Sequence, residues 1–298
     1  MSKQSAREAR VGVVGGSGLY TMPGLEVHDE IAVETPYGEP SDHFVLGRLD
    51  DTPVAFLARH GRGHRHTPGT VPYQANIYAF RLLGVANLFS VSAVGSLREA
   101  IGPLHMVVPD QFVDRTRHRV STFAEPGAVI HAGMADPVCP LLSRLLVEAA
   151  QAEGVTVHAE GAYLCIEGPQ FSTRAESALY RSWGMDVIGM TNATEAKLAR
   201  EAGIGYATLA MACDYDCWHK GHADVTAEMA MANLMASVEH AQRIVGRAVG
   251  ALGAEASASC GDAARALISS PAAMTVSQRH KFSVLLGIPI SDEAEEPE

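Results

Sequence analysis

At 298 residues and 47% hydrophobic content, the chain can bury a large core without disulfide or metal staples. A formal net charge of −11 argues against nucleic acid or an anionic membrane as the main partner. It leaves a phosphate substrate open, because anion sites are built locally from amides and a few basic side chains.

The first ten residues lack an apolar signal core, and no apolar segment is long and uncharged enough to span a bilayer. The five cysteines (Cys139, Cys165, Cys213, Cys217 and Cys260) are scattered and odd in number, which predicts reduced thiols and a cytoplasmic protein. Cys213 and Cys217 lack a second ligand cluster, so no metal site is expected there.

In chain order, Val11 to Val14 reads as a short buried strand stopped by Gly15-Gly16-Ser17-Gly18. Strand-like segments follow at Val27–Glu34, His43–Leu49 and Pro53–Ala58, with turns at Tyr37-Gly38-Glu39-Pro40 and Asp50-Asp51. Tyr73 to Leu83 is helical and ends at Gly84; Asn87 to Val94 and Val107 to Val113 read as strands. Pro140 to Ala152 is an amphipathic helix, Val155 to Ile166 one or two strands, and Thr173 to Trp183 a helix closed by Gly184. Asp186 to Met190 is a strand leading into a helix, for which Asn192 and Glu195 have capping-box spacing. Ile204 to Ala212 is a strand buried on both faces, and Thr226 to Leu252 a long helix rich in Ala and Met.

This order predicts an α/β fold: a single domain over residues 1–298, with one mixed sheet flanked by helices. Residues 1–9 are expected to be flexible, 254–270 mobile, and 291–298 a solvated acidic tail; the apolar island Phe282–Ile290 is expected to dock on a neighbouring surface.

Candidate chemistry gathers at the C-terminal ends of strands, where open α/β sheets place ligands. Gly15-Gly16-Ser17-Gly18 offers close-approach amides and a hydroxyl, without a Walker or complete dinucleotide pattern. Arg59, followed by His60, has the fork suited to bidentate phosphate recognition. Ser92-Ala93 and Met190-Thr191 repeat the arrangement of a strand, a hydroxyl and small residues. The turn Gly168-Pro169 can hold Phe171 over a pocket, and Glu167 is a candidate partner for substrate hydroxyls or a helix N-terminus. Asp214 and Asp216, spaced i, i+2 after the buried strand, project to one side if the chain stays extended. Taken singly, each also fits an ordinary turn or core residue.

As an ordered set, these segments with Thr35-Pro36-Tyr37-Gly38 and Arg59-His60-Gly61-Arg62-Gly63-His64 resemble the 5′-methylthioadenosine phosphorylases, a trimeric class of the purine nucleoside phosphorylase family. The resemblance covers about residues 10 to 250. It implies a purine nucleoside phosphorylase-like fold, a homotrimer and cleavage of an N-glycosidic bond by inorganic phosphate. No cofactor is implied; phosphate is a co-substrate. By position, Ser17, Arg59, His60, Ser92, Ala93 and Thr191 correspond to a phosphate site, and Met190 to a ribose contact. Phe171, Asp214 and Asp216 correspond to the base site, with Asp214 at N7 as the catalytic residue and Asp216 at the 6-amino group. His131 and Leu285 would border the 5′ substituent of a neighbouring subunit's ligand. A carboxylate at Asp216 implies adenine over a 6-oxopurine. Departures at Asn192-Ala193-Thr194, Cys213, Ala227 and Ala230 leave the 5′ group open between methylthio, halo and other substituents.

Overall fold

A computed structural model describes residues 9–16, 22–221, 225–252 and 266–290. The expectations for Ser17, the N-terminus, the acidic tail and most of 254–270 lie outside these residues.

The described strands form one mixed sheet. β1 (Val11–Gly15) lies parallel to β4 (Thr52–Ala58) on one side and to β5 (Asn87–Ser96) on the other. β2 (Leu25–Ile31) and β3 (Phe44–Leu49) continue outward as an antiparallel meander, as their hairpin punctuation predicts. β11 (Gly205–Asp214) runs parallel to β5 along nearly its whole length. β10 (Val187–Gly189) instead meets only the end of β5, at Gly95 and Ser96, and carries β9 (Ala162–Ile166) and then β7 (Gln111–Arg115). β1 pairs with β5 at Asn87–Ser90 and β10 at residues 95–96, so the sheet forks around Val91–Val94. The cavity described below opens at this fork.

Strict alternation assigns the two faces. In β4, Val54 and Phe56 join one core while Ala55 and Leu57 join the other; in β11, Tyr206 faces opposite to Ala207, Leu209 and Met211. One face is covered by α1 (Tyr73–Leu82), α4 (Asn192–Glu201) and α6 (Val276–Leu286), the other by α2 (Pro140–Ala152) and α5 (Ala227–Leu252). Burial on both sides makes the central strands continuously apolar, and each large side chain removed from water contributes about 1.5–3 kcal/mol.

Three expectations are corrected. The strand expected over Val107–Val113 is two, β6 (Met106–Val107) and β7, because Pro109 between them has no N–H for a ladder. The capping box expected at Asn192 and Glu195 does not form: the N-cap is Thr191, without a side-chain cap bond. The box appears instead on α3 (Arg174–Ser182), where the Thr173 hydroxyl accepts from the Glu176 amide and the Glu176 carboxylate from the Thr173 amide. The Phe282–Ile290 island divides: Phe282–Leu286 close α6 and pack on the chain's own core, with Phe282 and Leu285 wholly buried, while Ile288 is 41% exposed.

Candidate active site

The ends of β1, β4, β10 and β11 and the middle of β5 surround a cavity of ≈ 530 Å³. Arg59, His60, Ser92, Ala93 and Thr191 line one part of it, together with Gly16. Ser92 is buried, and its Oγ makes no hydrogen bond among the described residues. An unsatisfied buried hydroxyl costs about 1–3 kcal/mol, which an incoming oxyanion would relieve.

Arg59 departs from the bidentate clamp expected of it. Its Nε and Nη2 donate to Glu195 at 2.5 and 3.1 Å, Nη2 also to Ser90 Oγ at 2.6 Å, and Nη1 to the Val91 carbonyl at 2.9 Å. Among the described residues, these four bonds leave one Nη1 N–H for the cavity. Burial works against the guanidinium's charge, but the Glu195 carboxylate outweighs it and holds Arg59 firmly cationic. His60 is no cation: burial first, then Arg59, push its pKa down to about 4. Its Nδ1 lies 3.0 Å from the His66 carbonyl, which can only accept, so Nδ1 carries the proton and Nε2 is an acceptor. A neutral ring of this kind suits the hydroxyl of a protonated phosphate rather than a bare oxyanion.

The opposite part of the cavity holds the carboxylates. Asp214 closes β11 and Asp216 follows two residues on; both line the cavity and both are buried. The chain does not stay extended between them: Asp216 has φ +52, and its amide donates to Asp214 Oδ1 at 2.8 Å. Burial raises Asp214 to about 6, with the Asp216 amide opposing and the Asp216 charge adding to the rise. Burial also raises Asp216, opposed by the Ser177 and Ser172 hydroxyls. Gly95, opposite Asp214 in the ladder, makes room: a Cβ there would lie 2.8 Å from Asp214 Oδ1.

Between these ends, Met190 follows β10, and Phe171 lines the cavity while 45% exposed. Gly168 permits the turn beneath them, since a Cβ there would meet Met190 Sδ at 2.5 Å. Arg119 organises this region, and the sequence reading missed it. Its guanidinium, 1% exposed, donates to Glu167 Oε1 at 3.0 Å, to the Glu167 carbonyl at 2.6 Å, to Tyr73 OH at 3.1 Å and to the Met190 carbonyl. Glu167, considered for substrate hydroxyls, is engaged by Arg119 and the Arg117 amide. Burial raises its carboxyl, but those bonds outweigh it and hold the pKa below the ordinary value.

The first turns of α5 present Ala227, Ala230, Met231, Leu234 and Met235 to the cavity, an apolar wall. His131 is exposed and does not line this chain's cavity. Leu285, expected at a neighbour's 5′ site, is sealed in its own core and has no face to offer. Among the described residues, no cluster of three or more His, Cys, Asp or Glu could hold a metal ion, and no helix is long and apolar enough to cross a membrane.

Comparison with known proteins agrees with this architecture. The profile of the Phosphorylase superfamily matches residues 10–250. The S-methyl-5′-thioadenosine phosphorylase of Koribacter versatilis is 51% identical over 94% of this chain and 96% of its own length. That of Thermosynechococcus vestitus is 57% identical over 80% of this chain and 83% of its own. The crystal structure of a methylthioadenosine phosphorylase from an antarctic soil metagenomic library superposes with TM-score 0.88 at 49% identity, covering 94% of this chain and 99% of that one. A variant adenosine/methylthioadenosine phosphorylase from Schistosoma mansoni, solved with methylthioadenosine, gives 0.78 at 36% identity over 83% of this chain and 92% of that one. The chain belongs to the phosphorylase superfamily and, within it, to the S-methyl-5′-thioadenosine phosphorylase family.

Proposed function

We propose that the protein cleaves 5′-methylthioadenosine with orthophosphate, releasing adenine and 5-methylthioribose 1-phosphate. The observation that carries this reading is a single cavity with hydrogen-bond donors for an oxyanion at one end and a buried acid at the other.

A phosphate oxygen attacks C1′ with inversion as the bond from C1′ to N9 breaks. The departing electron pair would leave adenine as a poor anion, so a proton delivered from Asp214 to N7 makes the base a neutral leaving group. An acid with a pKa raised to about 6 still holds its proton in part of the population near neutral pH. Ser92, Thr191 and the single Arg59 N–H hold phosphate; Phe171 covers the purine; Met190 borders the ribose. Asp216 accepts from the 6-amino group and opposes a 6-oxo group, because facing acceptors would leave a buried mismatch. The apolar α5 wall takes the 5′ substituent.

Orthophosphate is the co-substrate and no organic cofactor or metal enters the scheme. We further propose a cytoplasmic homotrimer of single-domain chains, in which His131 of a neighbouring copy completes the 5′ side. In support, His131 is exposed and Met231 and Met235 on the α5 wall are 48% and 58% exposed. The experiment is phosphorus NMR of a reaction with 5′-methylthioadenosine. The reading requires a sugar 1-phosphate appearing one for one with adenine; adenine with free methylthioribose would overturn it.

A further inference from the structure

Behind the oxyanion end lies a buried polar network of which the proposed reaction uses only Arg59. Oε2 of Glu195 accepts from Arg59 Nη2, from Ser90 Oγ at 2.8 Å and from Tyr206 OH at 2.9 Å, while Oε1 takes Arg59 Nε. Asn192 Nδ2 braces Ser90, Tyr206 and Thr208 at 2.9–3.0 Å. Side chains of Arg59 and Glu195 are 2% and 3% exposed, yet only Arg59 reaches the cavity.

A buried ion pair of this kind is weak as a stabilising device relative to apolar packing. Its consequence here is electrical. Ser92, Ala93 and Thr191 are uncharged, and His60 is a neutral ring. Arg59 is the one permanent cation among the described residues lining the cavity, and Glu195 sits directly behind it with the opposite charge.

We propose that Glu195 is a positioning residue that turns a single Arg59 N–H toward the cavity and, by cancelling the guanidinium's charge, limits how tightly the wall binds an oxyanion. Arginine alone would be a strong anion trap; Arg59 with Glu195 behaves as one neutral donor among several. Such a wall binds phosphate through dipoles and lets a sugar phosphate leave. This inference rests on the phosphorolysis reading, but oxyanion binding tests it separately.

The test is orthophosphate binding by calorimetry, with the KM for phosphate measured alongside. Glu195→Gln keeps an acceptor for Arg59 Nε and removes the charge. It should tighten orthophosphate binding and lower its KM by about tenfold or more, while the KM for nucleoside stays within about threefold. Unchanged or weaker phosphate binding would overturn the proposal. Because Glu195→Gln leaves an uncompensated buried cation and can fail to fold, Arg59→Met is compared with Arg59→Met/Glu195→Gln. Arg59→Met exposes the anion to an unbalanced carboxylate; adding Glu195→Gln should recover about tenfold in phosphate affinity. Equal affinity in the single and double variants would overturn the proposal, since a purely structural Glu195 predicts no recovery. Wild-type adenine release that ignores phosphate would sink the phosphorolysis reading, whereas a phosphate-dependent wild type with no gain in Glu195→Gln would sink this inference alone.

Discussion

The backbone amide of Asp216 donates to the carboxylate of Asp214 at 2.8 Å, so the second acid turns its own chain back on the first. The left-handed φ of Asp216, +52, is the local cost of that turn, and burial of both side chains is what makes it consequential. Two carboxylates thus share a poorly solvated end of the cavity, and the one at the strand end is raised to about 6.

Asp214→Asn should lower kcat by about 10²–10⁴-fold while circular dichroism remains unchanged, because the amide keeps the shape and cannot deliver a proton. The pH profile gives a second readout. Protonated acid is the active form, so at saturating phosphate the wild-type kcat/KM for nucleoside should fall toward tenfold per pH unit above an apparent pKa of about 6 or higher. Bound phosphate moves that value upward by adding negative charge. The limb assigned to Asp214 should vanish in Asp214→Asn; its persistence would assign the titration elsewhere.

Asp216→Asn replaces an obligate acceptor with a group that can also donate. Inosine cleavage should rise and adenosine cleavage fall, changing the ratio of their kcat/KM values by the equivalent of about 1–3 kcal/mol. An unchanged ratio would remove Asp216 from base recognition.

Gly95→Ala places a methyl group 2.8 Å from Asp214 Oδ1. The strand can shift only by disturbing its pairing with β11, so about 1–3 kcal/mol of stability should be lost in chemical denaturation. Activity should fall further than that loss explains, because the acid is displaced from its bonding position.

Arg119→Met removes one hydrogen-bond donor from Glu167, the Met190 carbonyl and the Tyr73 hydroxyl together. The KM for nucleoside should rise about tenfold or more while the KM for phosphate changes little, since the arginine braces Glu167 and Met190, on the side proposed for the ribose, and makes no bond to Arg59, Ser92 or Thr191. Equal changes in both constants would mean a general loss of packing.

Much of this architecture is written in local patterns. The apolar run of β11, the periodicity of α1 and α2, and the glycines that end them survive folding because the sheet buries both faces. What local pattern hides is partnership over distance. Glu195 has the spacing of a capping residue, but Arg59, far away in sequence, claims its carboxylate. Thr173 and Glu176 have the same spacing, are exposed, and do form the cap. Arg119 lies in none of the motifs that the sequence singles out, and the fold brings Glu167 and Met190 to it from 48 and 71 residues away. What sets Arg59 and Arg119 apart from the exposed arginines is that their own side chains are buried, 2% and 1% exposed, with the guanidinium bonded to several distant groups; sequence spacing does not show this.

The most direct test is the initial rate of adenine release from 5′-methylthioadenosine, measured from zero to saturating orthophosphate. The account predicts a saturable curve that starts near zero in phosphate-free buffer. A rate that is already maximal without phosphate would contradict it, because the cavity would then be delivering water and its oxyanion wall would have no part in the reaction.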